Sequence, residues 1–326
     1  MPDRPESLER RLARVAEPLP GAAPYDNTRP ISVAPGSPPR PLIDILIERF
    51  PHIPAAEWEF RCDAGRFTGP TGRVLSKTYP VAAGSRVIQH FPATTEPGVA
   101  TDIRVVHEDD SILVLDKPAP LPMHPAGRFN RNTLQHFLRL AMAPEIPLPV
   151  HRLDANTTGL VVFARDGGSC HALQRQFADG TVAKRYLARV QGHPPADSFE
   201  LSYPISSAPG QTGTHAVDPA GGRPSHTGFT VLSRLDDGTS LLEARPGTGR
   251  TNQIRIHLWQ AGYPICGDPS YLTNQRIGAT QTLATDAPPM ALHALRLGFR
   301  HPRDGRAVEF VSSRELRWAG PDDLTA

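Results

Sequence analysis

The amino-acid sequence predicts an α+β protein with a central mixed, largely antiparallel sheet, preceded by a smaller α+β domain. Three observations carry that expectation. Helical and strand-like stretches are mixed along the chain without regular βαβ alternation, which disfavours a doubly wound parallel sheet. The chain has 326 residues, more than a typical domain of about 100–200 residues, so one large and one small domain are expected. Hydrophobic residues make up 39% and charged residues 21%, enough for a sizeable core, while 36 Pro and 27 Gly call for many turns.

The elements follow in order. Residues 1–40 are dense in Pro, Arg and Ala and hold only a short helix around Glu6 to Val15. That composition suits a flexible arm outside the folded core. Beyond Pro41, Leu42, Ile43, Leu46, Ile47 and Phe50 fall at helical spacing, and Pro51 ends the run. A second short helix holds Trp58 and Cys62. Gly65 then opens strand-like pieces at Arg66 to Thr68, Arg73 to Ser76 and Arg86 to His90, with Gly69, Pro70 and Gly72 in the turns. These pieces make a small domain over 41–95. Within it Arg61, Arg66, Arg73, Lys77 and Arg86 follow the first helix with only Asp63 opposing them, so one face is expected to be basic.

Pro92 to Ala100 lacks periodicity and reads as a linker, after which a second domain over 101–318 begins. Ile112 to Leu115 reads as a buried strand, followed by a Pro-rich loop to Pro125. Thr133 to Ala143 reads as a helix, Leu160 to Ala164 as an apolar strand, His171 to Ala178 as a helix stopped by Gly180, and Lys184 to Val190 as an alternating strand. Strands at Gly228 to Ser233 and Leu241 to Arg245 lead into the turn Pro246-Gly247-Thr248-Gly249. Thr251 is expected to cap a helix running to about Ala261, ended by Gly262.

Composition excludes several classes. No run of about 18 apolar residues is present, and the N-terminus lacks a charged-then-apolar leader, so a cytoplasmic protein with no membrane association is expected. Cys62, Cys170 and Cys266 are far apart and odd in number, which suits neither a zinc site nor a disulfide framework. The net charge of +2 neither demands nor excludes a polyanionic partner. All but Lys77, Lys117 and Lys184 of the 35 basic residues are arginine. Nucleotide bias is the plain explanation, and it implies that a surviving lysine is one arginine does not replace.

The run His151-Arg152-Leu153-Asp154-Ala155-Asn156-Thr157-Thr158-Gly159 places a carboxylate, an arginine and short polar side chains immediately before a hydrophobic strand. A loop at the end of a buried strand is held by the strand yet open to a ligand. An Asp turn capped by its own neighbours is the ordinary alternative. Further blocks follow the same order along 112–302: Lys117-Pro118 with Leu121 and His124-Pro125; Lys184-Arg185-Tyr186; Gly249 through His257; Gly262 through Pro269; and Leu292-His293-Ala294. Together they resemble the RluA-type RNA pseudouridine synthases, whose signature is His-Arg-Leu-Asp followed by Thr-Ser-Gly or a close variant.

The resemblance implies the pseudouridine synthase fold and maps the family's nucleophile onto Asp154, its active-site tyrosine onto Tyr186 and its aspartate-pairing arginine onto Arg255. The chemistry suits such a trio. Breaking the bond between ribose and N1 of uracil calls for a nucleophile or charge stabiliser, and a carboxylate serves as either. A guanidinium beside it stabilises the charged form. A tyrosine ring stacks on the base, and its phenol is a candidate acid or base. Attack at C6 and attack at C1′ both remain open. The target uridine has to leave the RNA stack, and Arg152, two residues before Asp154, is placed to contact RNA and fill the gap. A salt bridge within the loop is the other reading of Arg152.

His151 is grouped with Arg152 as an RNA contact, although His124, His151, His257 and His293 all have structural hydrogen bonding as the default reading. Lys184 is expected to order the strand presenting Tyr186 and Lys117 to support the motif loop or a phosphate, with surface lysines of no particular role as the alternative for both. Leu292 and Leu297 are candidates for an apolar surface near the pocket, with a core role as the plainer reading. Gly249 lacks the context of a phosphate loop, so no nucleotide cofactor, and no metal, is expected. Three positions depart from the family pattern: Thr158 for serine, Pro120 for a frequent glycine, and Asn252 where histidine is common.

The unit over 41–95 resembles, more weakly, the S4-like RNA-binding domain that often precedes this catalytic domain. The resemblance rests on two helices, Ala64-Gly65-Arg66 before the sheet and the Ala83-Gly84 turn. It implies that Arg61, Arg66, Arg73 and Lys77 contact RNA backbone. The partner expected is ribosomal or transfer RNA, and the protein is expected to act as a monomer. Two other classes compete: a catalytically silent RNA-binding or ribosome-assembly protein, and a base-excising or glycosidic hydrolase. The silent reading fits poorly with Asp154, Tyr186 and Arg255 all being present. The hydrolase lacks a second carboxylate in the Asp154 motif.

Overall fold

The structure, a computed structural model, describes residues 6–36, 38–51, 53–210 and 214–319. It divides into two compact units, one over Gly21–Glu96 and one formed by the chain on either side of that segment. The first helix, α1 (Leu8–Ala16), belongs to the larger unit. Ser7 caps it, and Leu8, Leu12 and Ala16 at i, i+4 spacing are buried in the core cluster that holds Leu134 and Leu138. Arg11 donates to the Ala141 carbonyl at 2.9 Å and Glu9 accepts from the Val105 N–H at 2.8 Å. The expectation of a flexible arm over 1–40 is therefore corrected for its described residues: a helix with a buried apolar stripe docks rather than dangles.

The small unit corrects the same expectation again. Strand β1 (Tyr25–Ser32), inside the supposed arm, pairs antiparallel with β3 (Arg86–Thr94), and β2 (Phe67–Thr68) pairs with the other edge of β3. Helices α2 (Leu42–Arg49) and α3 (Ala55–Asp63) stand where the periodicity predicts. Ile31, Leu42, Leu46, Trp58, Phe67 and Val87 form the core. The expected strand at Arg73 to Ser76 is reduced to a single bridge between Val74 and Thr68. The expected linker from Pro92 starts within β3, so the boundary falls at Glu96 and Pro97.

The larger unit is built on one ten-stranded sheet. Its strands are β4 (Arg104–Glu108), β5 (Ile112–Lys117), β6 (Thr158–Ala164), β7 (Ala183–Gln191), β8 (Ser198–Leu201), β9 (Thr227–Arg234), β10 (Thr239–Pro246), β11 (Leu292–Arg300) and β12 (Ala307–Val311), with a short strand at Leu148–Pro149. The order is β8-β9-β10-β7-β11-β6-β5-β4. Helices α4 (Leu134–Ala141), α5 (Gly167–Ala178) and α6 (Gln253–Gln260) pack against it. The sheet is mixed and largely antiparallel, as the sequence predicts: β11 and β6 run parallel, and the other pairings of its described strands are antiparallel.

That parallel seam is short, pairing His293 with Thr158 and Ala294 with Gly159. Both strands begin there, so the loops before them converge on one place. Gly159 makes the approach possible. Its φ is +107°, and a Cβ would lie 2.3 Å from the Ala294 carbonyl oxygen and 2.7 Å from its nitrogen. Beside it Thr158 Oγ1 lies 2.8 Å from Nδ1 of the buried His293. Among the described residues, no helix is long and apolar enough to cross a membrane.

Candidate active site

The Asp154 loop leads into β6 at this seam and is held from below. The Asp154 carbonyl accepts from the Thr157 N–H at 3.1 Å, and the Ala155 carbonyl accepts from the Leu121 N–H at 2.9 Å. Lys117, fully buried at the end of β5, donates to the carbonyls of Pro118, Leu121 and Ala155 at 2.9, 3.0 and 3.2 Å. Burial pulls its pKa down to about 7, against the opposing pull of the Asp154 charge. A lysine ammonium has three donors for three carbonyls, and arginine is too large for the site. Asn156, 1% exposed, accepts from the Leu283 N–H at 3.0 Å and donates to the Gln281 carbonyl at 2.7 Å. The residues flanking Asp154 are thereby fixed, while its own side chain remains 20% exposed and reachable.

Arg255 on α6 meets that side chain, its Nη1 lying 3.0 Å from Asp154 Oδ2. The guanidinium is itself gripped by Asp268, with Nε to Oδ2 at 2.7 Å and Nη2 to Oδ1 at 2.8 Å. This is the bidentate fork that suits arginine and not lysine. Asp268 Oδ1 also accepts the backbone N–H groups of Ser270 and Tyr271. Burial works against the Arg255 charge, but the hydrogen bonds and fields of Asp268 and Asp154 prevail and raise its pKa above the ordinary value. Two carboxylates around one buried guanidinium leave the exposed one held in place.

Asn252 explains its own departure from the family pattern. Its φ of +57° and ψ of +19° are left-handed, a conformation Asn and His adopt more readily than most residues. Its Oδ1 accepts from Arg255 Nη1 at 3.0 Å and its Nδ2 donates to the Tyr271 hydroxyl at 3.0 Å. The Tyr271 ring lies under the Arg255 guanidinium, 4.9 Å from its centre. The expected Thr251 cap is corrected. Asn252 is the N-cap and makes no capping bond; Gln253 Oε1 accepts from the Arg250 N–H at 3.0 Å and from Thr248 Oγ1 at 2.7 Å. That buried glutamine also donates to the His226 carbonyl and Thr227 Oγ1, so the turn before α6 is tied to β9.

Tyr186 sits on β7 between Ala244 of β10 and Ala294 of β11, following a register shift at Arg185. Burial, with a contribution from Asp154, raises its pKa above the ordinary value. The phenol therefore rests protonated, which suits stacking or proton donation better than acting as a resting base. Asp154, Tyr186, Arg255, Arg152, Lys184 and Leu292 share one cavity of about 420 Å³. Its size, its apolar ring and leucine, and its few convergent polar groups suit a small planar ligand. Leu297 instead belongs to a buried core cluster, its plainer reading.

The sequence-predicted contacts divide. Arg152 is exposed, borders the cavity and forms no salt bridge among the described residues, so the loop-bridge alternative is not realised. His151 also lines this cavity, and the fold gives its ring a structural role. Its Nε2 accepts the Val162 N–H at 3.1 Å, its ring stacks on Phe177 at 4.5 Å, and burial lowers its pKa to about 3. A neutral ring whose acceptor nitrogen is used inside the fold supports the loop rather than a phosphate. Lys184 Nζ lies 3.3 Å from the Thr248 carbonyl, tying β7 to the turn before α6.

In the small unit Arg61 pairs with Glu57 at 2.7 Å and stacks over Trp58, and Lys77 pairs with Asp63 at 3.2 Å. Arg73 lies over Tyr79. Those two ion pairs make the face less basic than a count of its cations suggests, while Arg66 and Arg73 form no salt bridge among the described residues. Sequence reasoning assigned no role to Asp268, Asn156, Gln253 or Tyr271. Asp268 lies in the motif block Gly262 to Pro269, and a carboxylate within that run is the signal the sequence carries. Among the described residues no group of three or more His, Cys, Asp or Glu is arranged to hold a metal.

Around this site, residues 111–260 match the model of the RNA pseudouridylate synthase family. The chain belongs to the RluA-type RNA pseudouridine synthases. It is 33% identical over 227 residues to ribosomal large subunit pseudouridine synthase D of Zymomonas mobilis, covering 67% of this chain and 71% of the relative. RNA pseudouridine synthase 7 of Arabidopsis thaliana is 32% identical over 252 residues, covering 74% of this chain but only 62% of the relative's own length. Among solved structures, human RNA pseudouridylate synthase domain containing 1 superposes with a TM-score of 0.54 at 28% identity, covering 68% of this chain and 86% of that one.

Proposed function

We propose that this protein converts specific uridines of a structured ribosomal or transfer RNA to pseudouridine, with Asp154 as nucleophile. The observation that carries the reading is the held carboxylate. Asp154 is ion-paired to a buried arginine, clamped through its neighbours by Lys117 and Asn156, and exposed into a cavity walled by Tyr186 and Leu292. The isomerisation exchanges the N1–C1′ bond for a C5–C1′ bond, while N1 gains a proton and C5 loses one. Asp154 opens the sequence by attack at the sugar or base, and Arg255 keeps its charge in place. Tyr186 holds the freed uracil while it turns. Arg152 occupies the space left in the RNA when the nucleotide is extruded.

This sequence of steps draws on no metal or cofactor. The small unit over 21–96 acts as an S4-like RNA-binding domain that tethers the substrate through Arg66 and Arg73, with Arg61 and Lys77 released from weak surface pairs. The protein works as a cytoplasmic monomer. The ribosomal reading draws on the naming of the Zymomonas relative, a large-subunit synthase. Mapping pseudouridine in ribosomal and transfer RNA from cells with and without the gene tests the proposal. Loss of one or a few discrete sites is expected, and identical maps would overturn it.

A further inference from the structure

A second cavity, of about 450 Å³, also borders Asp154 and shares Arg152, Asn252 and Arg255 with the first. Its chemistry is different. Among the described residues Asp154 is the only carboxylate in its wall, and Arg255 already neutralises it. Arg128 and Arg152 add two cationic groups that form no salt bridge among the described residues, and half-buried His124 stands beside them. Most of the remaining polar wall is neutral, including Thr280 and Thr282. Tyr186 and Leu292 of the first cavity are not among the described residues that line it.

Both walls are tied to the Asp154 loop. Arg128 sits at a two-residue tip where Ala126 and Phe129 exchange backbone hydrogen bonds, each 3.0 Å, and Gly127 takes a φ of +54°. Phe129, 4% exposed, anchors the tip in the core cluster that contains Leu153. The segment carrying Thr280 and Thr282, which also lines the cavity, is pinned by the two hydrogen bonds of Asn156. Arg128 is thus an exposed cation on a braced support at the edge of the reacting carboxylate.

From this arrangement we infer that the second cavity receives the RNA backbone adjoining the target uridine, with Arg128 pairing to the flanking phosphodiester. The inference rests on the proposed reading of the first cavity as the uridine pocket. An ionised phosphodiester matches an arginine fork, and the hydroxyls suit its ribose. A nucleotide extruded into the first cavity stays bonded to its neighbours, so its backbone has to leave past Asp154. The second cavity lies on that path. Arg128 is then a positioning residue for the RNA, not part of the bond-breaking machinery.

The test uses the full-length protein and an RNA in which it forms pseudouridine, with KM, kcat and RNA affinity measured over a range of salt concentrations. Arg128→Ala should raise KM and Kd about 10-fold, lower the slope of log affinity against log salt by about one, and leave kcat within about two-fold. Arg128→Lys should restore most of the salt slope. Arg303→Ala, which removes an exposed pair with Asp110, should change none of these. Unchanged KM and salt slope in Arg128→Ala, or a fall in kcat alone, would overturn the inference. Should the wild type form no pseudouridine in any RNA, the activity reading fails, and the salt slope of binding still decides the phosphate contact.

Discussion

Asn252→Ala isolates how much the site depends on one left-handed residue. The substitution places an alanine at φ +57°, costing about 1 kcal/mol relative to asparagine. It also removes an acceptor from the buried Arg255 guanidinium and a donor to the Tyr271 hydroxyl. Each loss costs about 1 kcal/mol, with the charged one at the upper end of the range. Tyr271 keeps its bond to the His215 carbonyl and Arg255 keeps Asp268, so no group is stranded completely. The total comes to about 3 kcal/mol, measured as a shift in the urea midpoint at unchanged slope. Asn252→His, which tolerates the same backbone region and carries polar ring atoms, should lose about 1 kcal/mol or less. A loss below about 0.5 kcal/mol for Asn252→Ala, or equal losses for both variants, would refute the reasoning.

Other outcomes follow from the same geometry. Gly159→Ala should cost about 3 kcal/mol or more in urea unfolding, because its Cβ would lie within 2.8 Å of three backbone atoms of Ala294 and the parallel seam has to part. Lys117→Arg should lose about 2 kcal/mol in the same assay by overfilling a fully buried site, while Lys77→Arg on the surface should lose none. Burial lowers the pKa of His151 to about 3 and of His293 to about 4, so the unfolded chain binds protons that the folded one refuses once pH falls below about 6.5. Their stabilising contribution is complete above that value and declines as pH falls towards the folded-state pKa values. Between pH 7.5 and 5 each should remove about 2 kcal/mol of stability, and His151→Gln should flatten the pH dependence of urea unfolding by that amount.

The catalytic domain was legible because its signals are local and chemical. The Asp154, Tyr186 and Arg255 blocks each carry their residue on a short run of fixed spacing, and the apolar strands beside them read correctly as buried. What was not legible depends on distant partners. Helix α1 and strand β1 lie in a stretch whose Pro and Arg content resembles a loose arm, yet Leu8, Leu12 and Ala16 find a surface that only the folded core supplies. His151 looked like part of an RNA-contacting run, and only the fold reveals that Val162 and Phe177 occupy its ring. Asp268 was visible as an acid but not as the second grip on Arg255, a contact set by how the chain returns after α6. Asn252 reads from sequence only as a departure from the usual histidine, because its backbone angle cannot be read from a letter.

The central claim is that Asp154 reacts while its surroundings hold it and the RNA. Pseudouridine formation by Asp154→Asn, measured together with RNA affinity, tests it most directly. The amide keeps the size of the side chain but removes the charge and the nucleophilic oxygen pair. The account expects no detectable product with RNA affinity close to that of the wild type. Turnover by Asp154→Asn at the wild-type rate would contradict it.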